Sequence, residues 1–530
     1  MPPCGAGRGT RSCRGDQMAT RGRRGLTRVA GCGLLLAALA VGGCTSGGTD
    51  GGAATRKDDL VLGLEADIPG WDPGKILPGS VAWASSAVYD TIFNCDEFGN
   101  VSPNIAQSYQ FTDGNTKLTL HLRPGMKFSD GTPVDGPAVK AALDYQVNAP
   151  GGKSFLPGVK VSSPDASTVV MTTPKPKSYL TTVMCLGAGA IASPKYLASG
   201  KLDQAPVGSG PYLYDRAAST PGSVYVLTKN PANWDAARYP YKKITLKVLT
   251  DRTARVNALK TGQISGAITD ASALGQLKTS GLTALVQHGQ WAGLLIEDRK
   301  GKVVPALGDV RVRRAINMVF DKNAIAQKLY QGQAEPTAQI FRKNSPAWIP
   351  GFQDPYPYNV AAARKLMADA GYAKGFSVQI PYIAGFGLDA AMPIVIQGLK
   401  ELGINAKQVT LSGSNALLDT LSGKYPIIFW PLGNHGDSRL TIDGAIIPTA
   451  VWNTEKITDP TIDRLWSTVL SGQGKEAATA QQELNRHVID QAWFAPWVYM
   501  NSFFGYDPKA VRLEKSTDLN ALAPKLSDFR

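Results

Sequence analysis

The chain reads as a mixed α/β protein of two or three domains. Helix ends are punctuated throughout: Asp251 precedes a stretch that closes at Gly262, Asn359 precedes AAARKLMADA and Gly371, and Asp459-Pro460 precedes a stretch ending near Gly472. A capping carboxylate or amide, a proline at the first helical position and a closing glycine mark helix termini. Short β-rich runs lie between such helices, at 59–64, 117–122, 244–249, 376–382 and 425–430, with clear alternation in 117–122. Strands that alternate with helices imply sheets covered on their faces. Size supplies the third observation: roughly 490 residues beyond the N-terminal segment far exceed one hydrophobic core.

Taken in order, the first element is not part of the fold. Seven arginines and a single acid, Asp16, precede Cys44, and a short apolar run, VAGCGLLLAALAV, spans 29–41. A basic region, a short apolar core and small residues at the cut describe a secretory signal, and the run is shorter than the roughly 20 residues of a spanning helix. Val41-Gly42-Gly43-Cys44 resembles a bacterial lipobox, in which cleavage precedes a cysteine whose thiol takes a diacylglycerol. Residues 1–43 are therefore expected to be a lipoprotein signal peptide and 44–55, small and polar, a flexible tether. Met18 is a second plausible start. Arg23-Arg24-Gly25-Leu26 loosely resembles a twin-arginine signal, which scattered arginines also produce, so the export route stays open between that and the general secretory path.

Further along, Phe128-Ser-Asp-Gly-Thr-Pro133 reads as a strand running into a tight turn at Asp130-Gly131. Val207-Gly-Ser-Gly-Pro-Tyr212 reads as a loop whose glycines permit left-handed dihedrals before a strand, a permissive point at which a chain can cross from one body to another. Asp309 can cap a helix that opens with Arg311, Arg313 and Arg314, read as a solvated face with a local ion pair.

Composition excludes several function classes. The first 43 residues hold seven of the 56 Lys and Arg and one of the 42 Asp and Glu, so without them the formal charge falls from +14 to +8. The remaining basic residues are scattered without interleaved aromatics, which argues against nucleic acid. Of the four histidines, His121, His288, His435 and His487, no two stand at zinc-ligand spacing, and neither a His-Glu-x-x-His motif nor a Gly-x-Ser-x-Gly elbow is present. Gly152-Lys153-Ser154 lacks the first glycine of a phosphate loop, Val147 standing there, and reads as a turn. Gly385-Phe-Gly-Leu-Asp-Ala390 follows a strand, as a dinucleotide fingerprint does, and is read as a plain strand-to-helix turn. No catalytic residue, metal or cofactor is expected. Cys4, Cys13 and Cys32 leave with the signal and Cys44 is acylated; Cys95 and Cys185 remain and could pair in an oxidising compartment.

A series of phrases, in order, resembles the extracytoplasmic solute-binding lipoproteins of ABC importers, family 5, which includes oligopeptide-, dipeptide- and nickel-binding members. They are LVLGLEADIPGWDP (60–73), YDTIFNCDEFGNVSPNIAQSY (89–109), LTLHLRPGMKFSDGTPVDGPAVKAALDY (118–145), PVGSGPYLY (206–214), LGDVRVRRAINMVFD (307–321), NVAAARKLMADAGY (359–372), VIQGLKELGI (395–404), ITDPTIDRLW (457–466) and APWVYMN (495–501). The resemblance implies a two-lobed periplasmic-binding-protein-like fold, type II, cluster C, with an extra inserted domain. It places lobe I at 56–80, 204–290 and 496–530, the inserted domain at 81–203 and lobe II at 291–495. A small solute, a peptide or other polar compound, would bind in the inter-lobe cleft of a lipid-anchored monomer outside the cytoplasm and pass to an ABC permease. Closure makes physical sense, because contacts from both lobes exist only in the closed form. Two alternatives remain: an exported hydrolase or lyase on the same scaffold, and a solute-sensing subunit of a membrane receptor.

The resemblance also directs attention to 428–437, where peptide-binding relatives carry a carboxylate for the peptide amine. Here the early acid is missing and Asp437 is the nearby substitute. The ligand-binding candidates are Asp67, Trp71, Trp83, Trp291, Trp430, Asn434, His435, Asp437 and Trp452. Aromatic walls with a few polar groups suit a cleft that desolvates a small solute. For any one tryptophan core packing is the competing role, and His435 lacks the neighbours of a metal ligand.

Overall fold

The computed structural model describes residues 58–75, 82–153, 155–383, 388–412, 415–472, 474–514 and 523–530. Cys44, the signal and the tether lie outside these residues, as do residues 385–387 of the 385–390 turn.

One mixed sheet runs through the described chain. Its strands lie in the order Ile427–Gly433, Thr283–Ile296, Phe494–Tyr506, Gly266–Thr269, Asp59–Leu64, Lys243–Val248, Val224–Lys229 and Tyr212–Thr220, with Ala334–Pro336 beside Phe494–Tyr506. Thr283–Ile296 and Phe494–Tyr506 are long antiparallel partners that carry the chain from one lobe to the other and back. Gly266–Thr269 pairs with the 503–506 end of this ribbon, and Ile427–Gly433 pairs with its 290–296 portion. Between those two zones the register slips at Gly289, between His288 and Gln290. A bulge bends and twists a ribbon locally, so the irregularity stands where the two lobes meet.

The first lobe's core gathers Leu60, Leu62, Leu64, Tyr212, Leu227, Ile244, Leu246, Phe504 and Phe529. A separate four-stranded antiparallel sheet, in the order Ala106–Thr112, Lys117–Leu122, Thr168–Thr172 and Lys160–Asp165, packs on helix Gly136–Asn148. The alternation of 117–122 explains its seating: Leu118, Leu120 and Leu122 are buried while His121 faces out. The second lobe's core contains Leu294, Ile316, Phe320, Val395, Ile427 and Phe429.

Cores change along the chain at places slightly different from those expected. Trp83 and Val88 of helix Ala82–Val88, with Ala190 and Ala192, pack into the first lobe's core rather than the inserted unit's. Trp497, Val498 and Tyr499 belong to the second lobe's core, and Phe503 and Phe504 are buried beside the first lobe's strands. A continuous strand gives no composition break at such a seam.

The capping residues act as their types dictate. Asp251, Asn359 and Asp459 accept backbone N–H bonds at the starts of Arg252–Lys260, Val360–Asp369 and Pro460–Ser471. Gly262 and Gly371 take left-handed φ of +69° and +87° after two of these helices. Residues 127–133 form a turn closed by a Lys127–Pro133 bridge, with Gly131 left-handed, and no strand leads into it.

Two readings are corrected. Gly208 and Gly210 do not serve left-handed dihedrals. A Cβ at Gly208 would lie 2.2 Å from the Val88 carbonyl oxygen, and one at Gly210 would lie 2.6 Å from that of Ala87. These glycines let the loop press against a helix end, and the loop joins the inserted unit to the first lobe rather than lobe to lobe. Arg313 is not solvated: it is buried and donates to the carbonyls of Leu307, Gly308 and Gln491, and burial pushes its guanidinium down to about 10. Arg311 does form the local pair, with Asp309.

Candidate functional site between the lobes

Strand Ile427–Gly433 ends in the loop 434–437, which enters helix Ser438–Ala445. The Asn434 N–H donates to the Gly289 carbonyl at 3.0 Å, so the loop starts against the bulge of the crossing ribbon. Asp437 caps the helix and is buried. Its Oδ1 accepts from the Arg439 N–H (3.1 Å) and Nε (2.8 Å), and its Oδ2 from Arg439 Nη2 (2.7 Å) and Thr182 Oγ1 (2.7 Å). Four bonds fill the acceptor positions of a carboxylate. Asp437 is thus committed to its own helix and to Thr182 of the inserted unit, and here no acceptor position is left for a solute amine.

The facing loop comes from the inserted unit. A Cβ at Gly436 would sit 1.7 Å from the Glu97 carbonyl oxygen, and one at Gly99 would sit 2.8 Å from Asp437 Cβ. The two loops interlock through glycines that no side-chain-bearing residue could replace without movement. Arg342 of the second lobe spans the same seam, donating to the Glu97 carbonyl (3.2 Å) and to Glu97 Oε2 (2.6 Å), with its guanidinium 5.5 Å from the Phe98 ring centre. His435 is half-buried; desolvation holds its imidazole down at about 4, against the pull of Asp437 and with the push of Arg342. It is neutral at ordinary pH.

Asn434 Oδ1 and Gln287 Oε1 are buried acceptors with no hydrogen-bond partner among the described residues. Both belong to the zone around the Gly289 bulge. The second lobe also holds a cavity lined by Asn317, Tyr356 and Asn485, but at about 10 Å³ it suits a single water.

Of the candidates read from sequence, the structure brings Asn434, His435 and Asp437 together at this seam. Trp430, on the adjoining strand, lies 5.3 Å from half-buried Trp452, with the two rings tilted by 37°. Trp71, Trp83 and Trp291 fill cores instead. Trp71 packs 4.3 Å from Tyr214, Trp83 donates its indole N–H to the Pro524 carbonyl (2.7 Å), and Trp291 is fully buried against Phe494. Their large apolar area is worth most inside a lobe. Asp67 is exposed in the first lobe and accepts from the Tyr225 hydroxyl at 2.6 Å.

Sequence reading missed Glu97, Ser178, Thr182, Arg342 and Arg439. Their partners across the seam lie 245 to 261 residues away, so no local spacing could flag them. Cys95 and Cys185, both in the inserted unit, are bonded at 2.08 Å with Cα atoms 5.7 Å apart.

Chemically the seam holds and orients. Thr182 Oγ1 gives its proton to a carboxylate already paired with Arg439, which makes it a fixed donor rather than an activated nucleophile. Among the described residues no group of three or more His, Cys, Asp or Glu could hold a metal ion, and no helix is long and apolar enough to cross a membrane.

Comparison with known proteins accords with this architecture. Residues 100–439 match the family described as bacterial extracellular solute-binding proteins, family 5 Middle. The glutathione-binding protein GsiB of Salmonella paratyphi A is 26% identical over 338 residues, covering 62% of this chain and 64% of the relative, so the match spans less than two thirds of that relative's length. A putative ABC transporter peptide-binding protein of Brucella ovis is 25% identical over 460 residues, covering 81% of this chain and 86% of its own. The solved structure of the binding protein AgaA from A. tumefaciens R10, in complex with agropinic acid, has the same fold, with a TM-score of 0.78, 22% identity and coverage of 89% of this chain and 98% of that one.

Proposed function

Because the chain belongs to the bacterial extracellular solute-binding proteins of family 5, we propose that it captures a peptide or similarly sized polar solute between its lobes and delivers it to the permease of an ABC importer. The observation that carries this reading is the seam itself. Two lobes share a long two-stranded ribbon, bulged at Gly289, and meet again through the loops 97–99 and 434–437. A bulged ribbon is a place where two bodies can swing, and contacts made from both sides exist only when they have closed. Asn434, His435, Gln287 and the Trp430–Trp452 pair supply a few polar groups beside aromatic surface, the lining that a polar solute requires.

The protein acts as a non-enzymatic monomer, held outside the cytoplasm by diacylglycerol on Cys44. Two acyl chains anchor far more firmly than one, at about 0.8 kcal/mol per buried CH₂. A tether of about a dozen residues keeps the cleft near its permease and raises the effective concentration there.

The experiment is native mass spectrometry of the purified exported protein, followed by titration with the co-purified compound. A bound small molecule that is released intact and rebinds is the expected result. A compound consumed on rebinding would overturn the reading in favour of an enzyme.

A further inference from the structure

Among the described residues, three polar ties cross the seam between the inserted unit and the second lobe. In the first, Arg342 grips Glu97 through both the carboxylate and the backbone carbonyl, with 7% and 21% of the two side chains exposed. In the second, Thr182 donates to Asp437, while Arg439, which pairs with that carboxylate, reaches Ser178 Oγ at 3.3 Å. In the third, Asn115 Nδ2 donates to the Leu470 carbonyl at 3.0 Å.

Apolar contacts accompany them. Leu440 of that helix is buried in the inserted unit's core, Trp466 and Leu470 pack against the same core, and the Tyr179 and Trp466 rings lie 5.8 Å apart. Every group here is supplied by the chain. Opening would hydrate an apolar patch and leave Asp437 with one bond fewer, so closure has a favourable term before any solute arrives.

We propose that the inserted unit and the second lobe form a built-in clasp that holds the cleft shut in the solute-free protein. The inference rests on the solute-capture reading, because a cleft that never opens has nothing to be clasped. Its consequence is quantitative. Solute entry requires release of the clasp, so loosening it shifts the resting population toward the open form and quickens capture. The same loosening also weakens retention, because part of the closed state's stability has gone.

The test measures distances between spin labels by double electron–electron resonance in the full exported chain after exhaustive dialysis against buffer. One label replaces exposed Lys160 in the inserted unit and the other exposed Lys407 in the second lobe. The wild type should show one dominant distance matching the closed arrangement. Glu97→Gln and Thr182→Val should each lower the closed-to-open ratio about five- to tenfold, the loss expected for one partly buried polar tie. Circular dichroism would show that both variants keep the wild-type fold. If Thr182→Val does not fold, Glu97→Gln, whose side chain lies at the edge of the seam, decides alone. A wild type that rests mainly open, or variants with the wild-type distribution, would overturn the clasp. No solute enters this measurement, so its failure is distinct from failure of the capture reading. A protein that rests open yet rebinds a solute refutes the clasp, and one that rests closed yet captures nothing refutes the function.

Discussion

Asp90, which is buried, and His435, which is half-buried, pull the pH dependence of stability in opposite directions. Asp90, buried and hydrogen-bonded to Ser209, has its carboxyl pushed up to about 7 by desolvation, above an ordinary value of 3.8. Its folded form holds a proton that the unfolded form has lost, so its contribution is full below the ordinary value and fades as pH rises through 7. His435 is the reverse case, at about 4 against an ordinary 6.5. Its contribution is full above 6.5 and is lost as pH falls toward 4. Between about pH 4.5 and 6.5 the two slopes, each up to about 1.4 kcal/mol per pH unit, oppose one another. Asp90→Asn should remove one of them, and urea melts of that variant across this range should show stability rising with pH more steeply than in the wild type. An unchanged slope would place the Asp90 proton elsewhere. Cys44 also belongs to this scale. Cys44→Ser should leave solute affinity unaltered and release the protein from membranes, which sedimentation of cell fractions would read directly. At this scale the capping residues Asp251, Asn359 and Asp459 were legible because each acts within three residues of itself. Arg313 was not, because a guanidinium beside two others reads as surface until the carbonyls that receive it are known.

Among the elements, the loop 207–212 depends on backbone proximity. Gly208→Ala would drive a methyl into the Val88 carbonyl, and Gly210→Ala would do the same at Ala87. Each should destabilise the protein by about 1–3 kcal/mol, the usual range for forced overpacking, measured as a lower midpoint in thermal melts. Gly131→Ala meets nothing within 4 Å and should carry only the penalty of its left-handed φ of +84°, about 1 kcal/mol. The strands 59–64 and 117–122 were read at their observed bounds, since alternation is a property of the strand alone. Residues 128–133 read in sequence as a strand running into a tight turn at Asp130-Gly131. In fact Phe128 is buried by the inserted unit's core without a ladder partner.

Across the whole molecule, the Cys95–Cys185 bond closes a 90-residue separation within the inserted unit. Replacing both cysteines by serine should lower stability by about 2–4 kcal/mol. The loss should appear as earlier melting of the inserted unit, detectable by limited proteolysis between 95 and 185. The alternation of strands and helices and the order of nine family-like phrases are written in the residues themselves. They depend on composition, on contacts a few positions apart, or on words repeated along one line. The seam is of another kind. Glu97 meets Arg342 and Thr182 meets Asp437 only after two sheets and a crossing ribbon have brought together points some 250 residues apart. Trp71, Trp83 and Trp291 looked like cleft walls for the same reason: an indole's sequence neighbours do not say whether the core will claim it. Sequence determined what kind of protein this is. Only the tertiary structure decided which side chains meet across the seam, because long-range pairing depends on geometry that no local pattern carries.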